Sequence, residues 1–243
     1  MKKILFLFLL ISTSGFTQNN LNGLWKIDEI IGLYSTDEYN LSPAKEDESL
    51  QGQMYGNSVT FNPNGTFKSR YSAWCGNDCF PHSKGTFKNI DETHIRLKLD
   101  VLEITGDCPY SIDSTHHDLG IFLIKKTENG YRLIKSDFTT SDKQQEKYSE
   151  MLTDLSIINM DDSFYKEVRL PPNTREKKDV EILATGLKNI SGFEPEKAKL
   201  LYTKYQSHQK RFVFEYKNRL LLALYNPGPS QFILYDIEKK SDL

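Results

Sequence analysis

The chain has 243 residues, a formal net charge of -2 and a pI near 6.2. This balance of charges argues against a surface whose main role is to bind nucleic acid. Hydrophobic residues make up 38% of the chain and aromatic residues 12%, which is enough for a core and too apolar for a disordered protein.

The N-terminus has the composition of a secretory signal peptide. Met1, Lys2 and Lys3 precede a short apolar run over residues 4–11, and small and polar residues follow up to Gln18. The apolar run is too short for a spanning helix, and no other stretch is long and apolar enough. Residues 1–18 are therefore predicted to be a signal peptide, and the mature protein is predicted to be secreted or periplasmic, without a transmembrane segment.

The first predicted strand opens with Gly23-Leu24-Trp25 and continues to Ile31. Residues 34–56 are rich in polar and acidic residues, which indicates a long connection before the chain re-enters a sheet.

The central stretch, residues 57–137, alternates apolar and polar residues. The clearest run is 94–101, where every second residue is apolar. A strand turns successive side chains to opposite faces, so this pattern predicts antiparallel strands with one buried face. The predicted strands are 59–61, 66–74, 85–90, 94–103, 119–125 and 131–135.

The connections between these strands alternate in length. Residues 62–65, 91–92 and 128–130 are tight turns, whereas residues 75–84 and 104–118 are long loops. In an up-and-down meander, alternate connections lie at opposite ends of the sheet. The sequence therefore predicts a curled sheet, with a closed base at the tight turns and an open mouth at the long loops.

A Gly-x-Trp at the start of the first strand, formed by Gly23 and Trp25, precedes a large first loop and this alternation of connections. In these features residues 21–137 resemble a lipocalin-like (calycin) β-barrel of an exported bacterial protein. The resemblance implies that Trp25 closes the base and that a basic side chain stacks over it. Residues 163–170 are predicted to be the eighth strand, which would place Arg169 across Trp25.

The expected fold class is therefore mainly β, an antiparallel up-and-down lipocalin-like barrel over residues 19–170, with an α+β extension over residues 171–243. A helix is predicted within the link before the eighth strand, over residues 141–155, with Ser141 as its cap and Gln144 as the reciprocal partner.

The extension is predicted to hold a helix within residues 174–191 and a second helix over residues 194–206. Strands are predicted at 212–216, 220–225 and 231–236. The hairpin of the first two strands is apolar on both faces, so it must pack against something. Either a small second domain or a flap over the barrel would satisfy this requirement.

The cysteines and three of the histidines fall in the long loops at the mouth. A disulfide between Cys79 and Cys108 is favoured because a staple across two loops closes the longer chain loop. A bridge between Cys75 and Cys79 is the alternative. A metal site formed by cysteines with His82, His116 and His117 would suit the residue types, but the spacing is not that of a strong ligand motif. No metal or cofactor is predicted.

No catalytic motif is present in the sequence, so the protein is predicted not to be an enzyme. We expect a binding barrel that holds a small hydrophobic molecule. The alternative is an envelope interaction module with a filled barrel, whose C-terminal hairpin contacts a protein partner. The side chains expected to face the ligand are Phe61, Phe67, Tyr71, Leu97, Leu99 and Phe122.

Overall fold

A computed structural model describes residues 21–44, 54–74, 77–138, 142–153, 155, 164–206 and 208–237. The predicted signal peptide, Cys75 and the predicted cap Ser141 lie outside these residues. Within them, no helix is long and apolar enough to cross a lipid bilayer.

The first sheet closes into a barrel. Its strands follow the order β5-β4-β3-β1-β2-β9-β8-β6, and β5 pairs with β6 to complete an antiparallel ring of eight, while β7 adds to β6 outside the ring. The mainly β fold with an antiparallel barrel is therefore confirmed. The strands are β1 (Gly23–Ile27), β2 (Glu38–Pro43), β3 (Gly56–Phe61), β4 (Thr66–Ser72), β5 (Cys79–Asn89), β6 (His94–Gly106), β7 (Ser111–Asp113), β8 (His117–Thr127) and β9 (Gly130–Ser136).

The strand that completes the ring is not the one predicted. Residues 163–170 were expected to close the barrel, but β2, from within the predicted first loop, lies between β1 and β9. In β2, Tyr39 and Leu41 are buried in the barrel core. The outward Glu38 interrupts the apolar pattern and is itself buried, under the second sheet. Because Glu38 is charged and polar residues surround β2, the sequence did not indicate a strand here, although its inward residues alternate regularly.

The segment after β1 folds into the mouth of the barrel. The predicted first strand was too long, because β1 ends at Ile27 and residues 30–31 turn inward with no exposed surface. The Ile31 amide donates to Ser69 Oγ at 3.4 Å. Gly32 has a φ of 84°, and a Cβ there would lie 2.8 Å from Leu99 Cδ2. The positive φ favours glycine at this position, and residues 28–33, here called the floor segment, form a floor below the mouth.

The second sheet contains the C-terminal strands in the antiparallel order β10-β14-β13-β12-β11. The predicted eighth barrel strand is β10 of this sheet, opposite β14. The strands are β10 (Phe164–Arg169), β11 (Ala198–Gln206), β12 (Gln209–Tyr216), β13 (Arg219–Asn226) and β14 (Gln231–Tyr235), and the helices are α1 (Asp142–Thr153) and α2 (Asp179–Lys188), with 3-10 turns at Pro172–Glu176 and Pro195–Lys197.

The predicted helix over residues 194–206 is wrong. Only a 3-10 turn forms at Pro195–Lys197, and β11 follows it. Residues 202–205 are all buried, so both faces of this strand are covered. A strand that is buried on both faces loses the alternation that identifies a strand, which explains the error.

Both faces of the second sheet are packed, as the apolar hairpin requires. On one face, Leu183 and Leu187 of α2 lie in a cluster with Phe212 and Phe232 of the sheet. On the other face, Leu152 of α1 joins a cluster that includes the outer barrel wall. The predicted helix over residues 141–155 is confirmed as α1. The members of this second cluster include Leu123, Ile134, Tyr148, Met151, Tyr202, Val213, Leu222 and Leu224.

A buried charge network joins the barrel to the second sheet. The side chains of Glu38 and Lys204 have no exposed surface, and Lys204 Nζ donates to Glu38 Oε1 at 2.8 Å. Arg132 Nε donates to the same oxygen at 3.1 Å, and Tyr202 donates its hydroxyl to Oε2 at 3.3 Å. Burial opposes ionisation of Glu38, but the two cations outweigh it, so the pKa of this carboxyl is lowered.

The backbone also links the two sheets. The amide of Asp37 donates to the Thr203 carbonyl oxygen at 2.8 Å, and the Thr203 amide donates to Asp37 Oδ2 at 2.8 Å. The Tyr205 amide donates to Thr36 Oγ1 at 3.3 Å. Residues 36 and 37, just before β2, therefore satisfy part of the edge of β11, which fixes the second sheet beside the mouth.

Candidate functional site

Five of the six side chains that were expected to face a ligand form the packed centre of the barrel. Phe61, Phe67, Leu97, Leu99 and Phe122 are each at most 3% exposed and belong to one apolar cluster. The Phe61 and Phe67 rings are 6.2 Å apart between centroids. These residues contact each other and the floor segment, so the space between them is occupied by protein. The sixth, Tyr71, lies higher, at the mouth.

A cavity of about 450 Å³ lies at the mouth, above this packed centre. Such a volume suits a small organic molecule. Its walls come from the floor segment, from the inner faces of β3, β4 and β5, and from the β11–β12 turn of the second sheet. The lining residues are Asp28, Glu29, Leu33, Tyr34, Gly56, Asn57, Tyr71, Asp78, Cys79, Pro81, Tyr205 and His208.

A pair of tyrosines forms the aromatic wall of this cavity. The rings of Tyr34 and Tyr205 are stacked, with centroids 4.3 Å apart and planes 22° apart. Tyr34 follows the floor segment and is 41% exposed, whereas Tyr205 is buried at the end of β11. The aromatic wall therefore forms only where the barrel and the second sheet meet.

Two adjacent carboxyl groups line the cavity, and they differ in their hydrogen bonds. Asp28 accepts from the Asn40 amide at 2.8 Å and from Asn40 Nδ2 at 2.6 Å, so both of its oxygens are held. Burial raises the pKa of Asp28 to about 6 despite these bonds. Glu29 is 9% exposed and accepts from the Ile30 amide at 3.2 Å. Burial raises the pKa of Glu29 to about 7, with a smaller contribution from the charge of Asp28.

A third carboxylate lies across the cavity, beside the disulfide. Tyr71 donates its hydroxyl to Asp78 Oδ2 at 2.9 Å. The predicted disulfide between Cys79 and Cys108 is confirmed, with a Cα–Cα distance of 5.3 Å. The bridge ties the start of β5 to the loop after β6, so it fixes the wall that carries Asp78 and Tyr71.

The three histidines of the metal alternative are not brought together. His82 pairs with Glu103 at 2.9 Å, and His117 pairs with Asp113 at 2.8 Å. His116 lies 3.2 Å from Asp100. In the described part of the chain, no group of three or more His, Cys, Asp or Glu side chains is arranged to hold a metal ion.

Trp25, the tryptophan predicted for the base of the barrel, contacts a different side chain from the one expected. Trp25 is only partly buried; its Nε1 donates to the Leu21 carbonyl oxygen at 2.7 Å, and its ring meets Tyr131 edge-on at 5.3 Å. The pairing of Gly23 with Phe61 places it at this end. Arg169 lies opposite Gln231 in the second sheet, and not on the strand that closes the barrel.

Sequence reasoning missed most of the cavity lining. Tyr205 and His208 were assigned to a helix or left between elements, and Glu29 was placed within a continuous strand. One signal was present: Asp28 and Glu29 break the apolar pattern just before Ile30 and Ile31. Adjacent carboxyl groups at the end of a strand mark the point where β1 leaves the sheet.

The closed antiparallel barrel of eight strands is consistent with a calycin-like fold. No protein-family model, curated protein or solved structure shows significant similarity to this chain.

Proposed function

We propose that this protein is an exported, lipocalin-like binding protein that holds a small amphipathic molecule at the mouth of its barrel. The observation that carries the proposal is the cavity of about 450 Å³, which is lined by residues of the barrel and of the second sheet. It has an aromatic wall, some apolar surface and several polar groups that converge on it, and such convergent polar groups fix the orientation of a ligand.

The proposed site differs from the one expected from the sequence. A hydrophobic molecule in the centre of the barrel would have to displace Leu97, Leu99 and Phe122, which already pack together. At the mouth, a ligand would meet Leu33 and the stacked tyrosines on one side and carboxyl groups on another. An amphipathic ligand suits this lining better than a purely hydrophobic one.

Asp28 is held as a fixed part of the cavity wall. Both of its oxygens accept hydrogen bonds from Asn40, so it is poorly placed to transfer a proton to a ligand. The alternative of an interaction module finds less support, because α2 and the barrel wall cover the apolar faces of the C-terminal hairpin.

The experiment is native mass spectrometry of the full-length protein purified from its own compartment, combined with thermal shifts for a panel of small amphipathic compounds. Leu33→Trp, which fills the cavity, is compared with Ile112→Trp at a site that is 56% exposed and outside the lining. We expect a bound molecule or a thermal shift in the wild type and in Ile112→Trp, and its loss in Leu33→Trp. Absence of any ligand in the wild type, or equal binding by both variants, would overturn the proposal.

A further inference from the structure

The ionisable groups of the mouth cavity are strongly unbalanced. Among the described residues that line it there are three carboxyl groups, Asp28, Glu29 and Asp78, and no lysine or arginine. His208 is the one lining side chain that can become cationic. Such a cavity favours a ligand that brings positive charge.

Two other buried acidic residues have their own cations. Glu38 pairs with Lys204 and Arg132, and Asp179 pairs with Lys210 at 2.5 Å. In the described residues, Glu29 has no lysine or arginine within ion-pair distance, although it is nine-tenths buried. Burying a carboxylate without a cation is costly, so Glu29 is expected either to keep its proton or to take a cation from a ligand.

The aromatic wall lies beside this unmatched carboxyl. Burial raises the pKa of Tyr34, and the charge of Glu29 raises it further; burial, Tyr34 and Glu29 together raise that of Tyr205. Glu29 lines the same cavity as both rings. Tyrosine faces attract organic cations, and an anionic group next to them strengthens this attraction.

We infer that the ligand carries an amine or quaternary ammonium group on an apolar body, with Glu29 as its counter-ion and the Tyr34–Tyr205 stack as its aromatic contact. The inference rests on the proposed function, since it names the ligand class of the same cavity. The ammonium group would replace the missing cation next to Glu29, and the apolar body would lie against Leu33 and the rings.

Proton release is a further expected sign of this binding. A cation favours the ionised form of Glu29, whose pKa is raised to about 7 by burial, so binding should strengthen between pH 6 and pH 8. The titratable groups that face Glu29 across the cavity, and that share this environment, are Asp28, Tyr34, Tyr71, Asp78, Tyr205 and His208.

The test uses isothermal titration calorimetry at pH 8 on the intact protein with three probes of similar size. These are benzyltrimethylammonium, its uncharged isostere neopentylbenzene, and the anion phenylacetate. Glu29→Gln is compared with Glu181→Gln, a control on the exposed surface of α2. We expect the cation to bind at least tenfold more tightly than the other probes, and Glu29→Gln alone to remove this preference.

The outcomes separate this inference from the proposed function. If the neutral or anionic probe binds as tightly as the cation, and Leu33→Trp abolishes that binding, the mouth site stands and the inference of a cation is wrong. If the cation binds equally to wild type and Glu29→Gln, the role of Glu29 is refuted. If no probe binds the wild type, the inference of a cation is wrong, and the proposed function is decided by the native mass spectrometry and the compound panel.

Discussion

The centre of the barrel and the junction between the two sheets are equally shielded from solvent, yet different interactions stabilise them. In the centre, Val59, Ile95 and Leu133 have no exposed surface and contact other apolar side chains. At the junction, Glu38 and Lys204 have none either, and they contact each other at 2.8 Å. The first region needs only shape and apolar area; the second needs particular partners in particular directions.

This difference has a consequence for what each region specifies. Apolar cores accept many arrangements of similar volume, whereas a buried ion pair is favourable only when every polar group finds its partner. The network around Glu38 therefore fixes how the second sheet docks on the barrel. The docking in turn places Tyr205 and His208 at the mouth cavity.

The largest effect is expected from breaking the junction. Lys204→Met leaves Glu38 buried without one of its two cations, so we expect the free energy of unfolding to fall by about 3–5 kcal/mol. Urea denaturation measures this change. Arg96→Met, in the exposed pair with Asp118, is the control and should behave as an ordinary surface substitution.

A double variant sharpens this first prediction. Glu38→Gln combined with Lys204→Met removes both members of the fully buried pair, and the effects of the two substitutions should not add because the two residues are in contact. If Lys204→Met unfolds at the same urea concentration as Arg96→Met, the network contributes little, and the contrast between the two regions disappears.

A smaller effect is expected from overfilling the centre. Leu99→Trp adds volume where Leu99 already touches Gly32 of the floor segment, so stability should fall by about 1–3 kcal/mol. The thermal midpoint without ligand is the measurement, with Ile112→Trp as the exposed control. An unchanged midpoint would mean that the centre has free space, and a hydrophobic ligand there would again be the better proposal.

The smallest effect concerns Glu29, the carboxyl group that has no cationic partner in either region. The pKa of Glu29 in the folded protein is about 7, above its ordinary value of 4.5, so the folded state holds its proton more tightly than the unfolded chain. Its ionisation should therefore lower stability as the pH rises from 4.5 through 7, and the full cost should be present above that range. Glu29→Gln should gain about 1–2 kcal/mol over wild type at pH 8 relative to pH 6.

Urea unfolding at the two pH values gives this difference, and Glu181→Gln, on the exposed face of α2, is the matched control. The other titrating groups are common to the compared proteins, so their contributions cancel. An identical pH dependence for wild type and Glu29→Gln would show that Glu29 is not desolvated in the folded protein.

The contrast between the two regions also explains what the sequence could predict. The centre of the barrel follows from period-two runs such as residues 94–101, because each inward residue is apolar and each outward residue is polar. The disulfide followed from the position of two cysteines in neighbouring loops. Both inferences depend on local pattern and chain topology.

The junction and the mouth cavity depend instead on residues far apart in the chain. The charge of Glu38 suggested that its segment is exposed to solvent. Its buried partner, Lys204, lies 166 residues later in the chain, so the sequence near Glu38 gave no sign of the pair. The second sheet was misassigned at β11, since a strand covered on both faces has no polar side. The cavity could not be predicted without β11, because Tyr205 forms part of its wall.

The position of β2 in the ring also governs the order in which the barrel can form. The strands from β3 to β9 are joined by short and medium connections, so they can pair soon after they are made. β2 must wait for β9, since Glu38 meets Arg132 across 94 residues of chain, and contacts of such separation form slowly. Until then β2, which can already pair with its neighbour β1, and β9 each present an unpaired edge. The ring is thus completed last by one of the first strands that the chain contains.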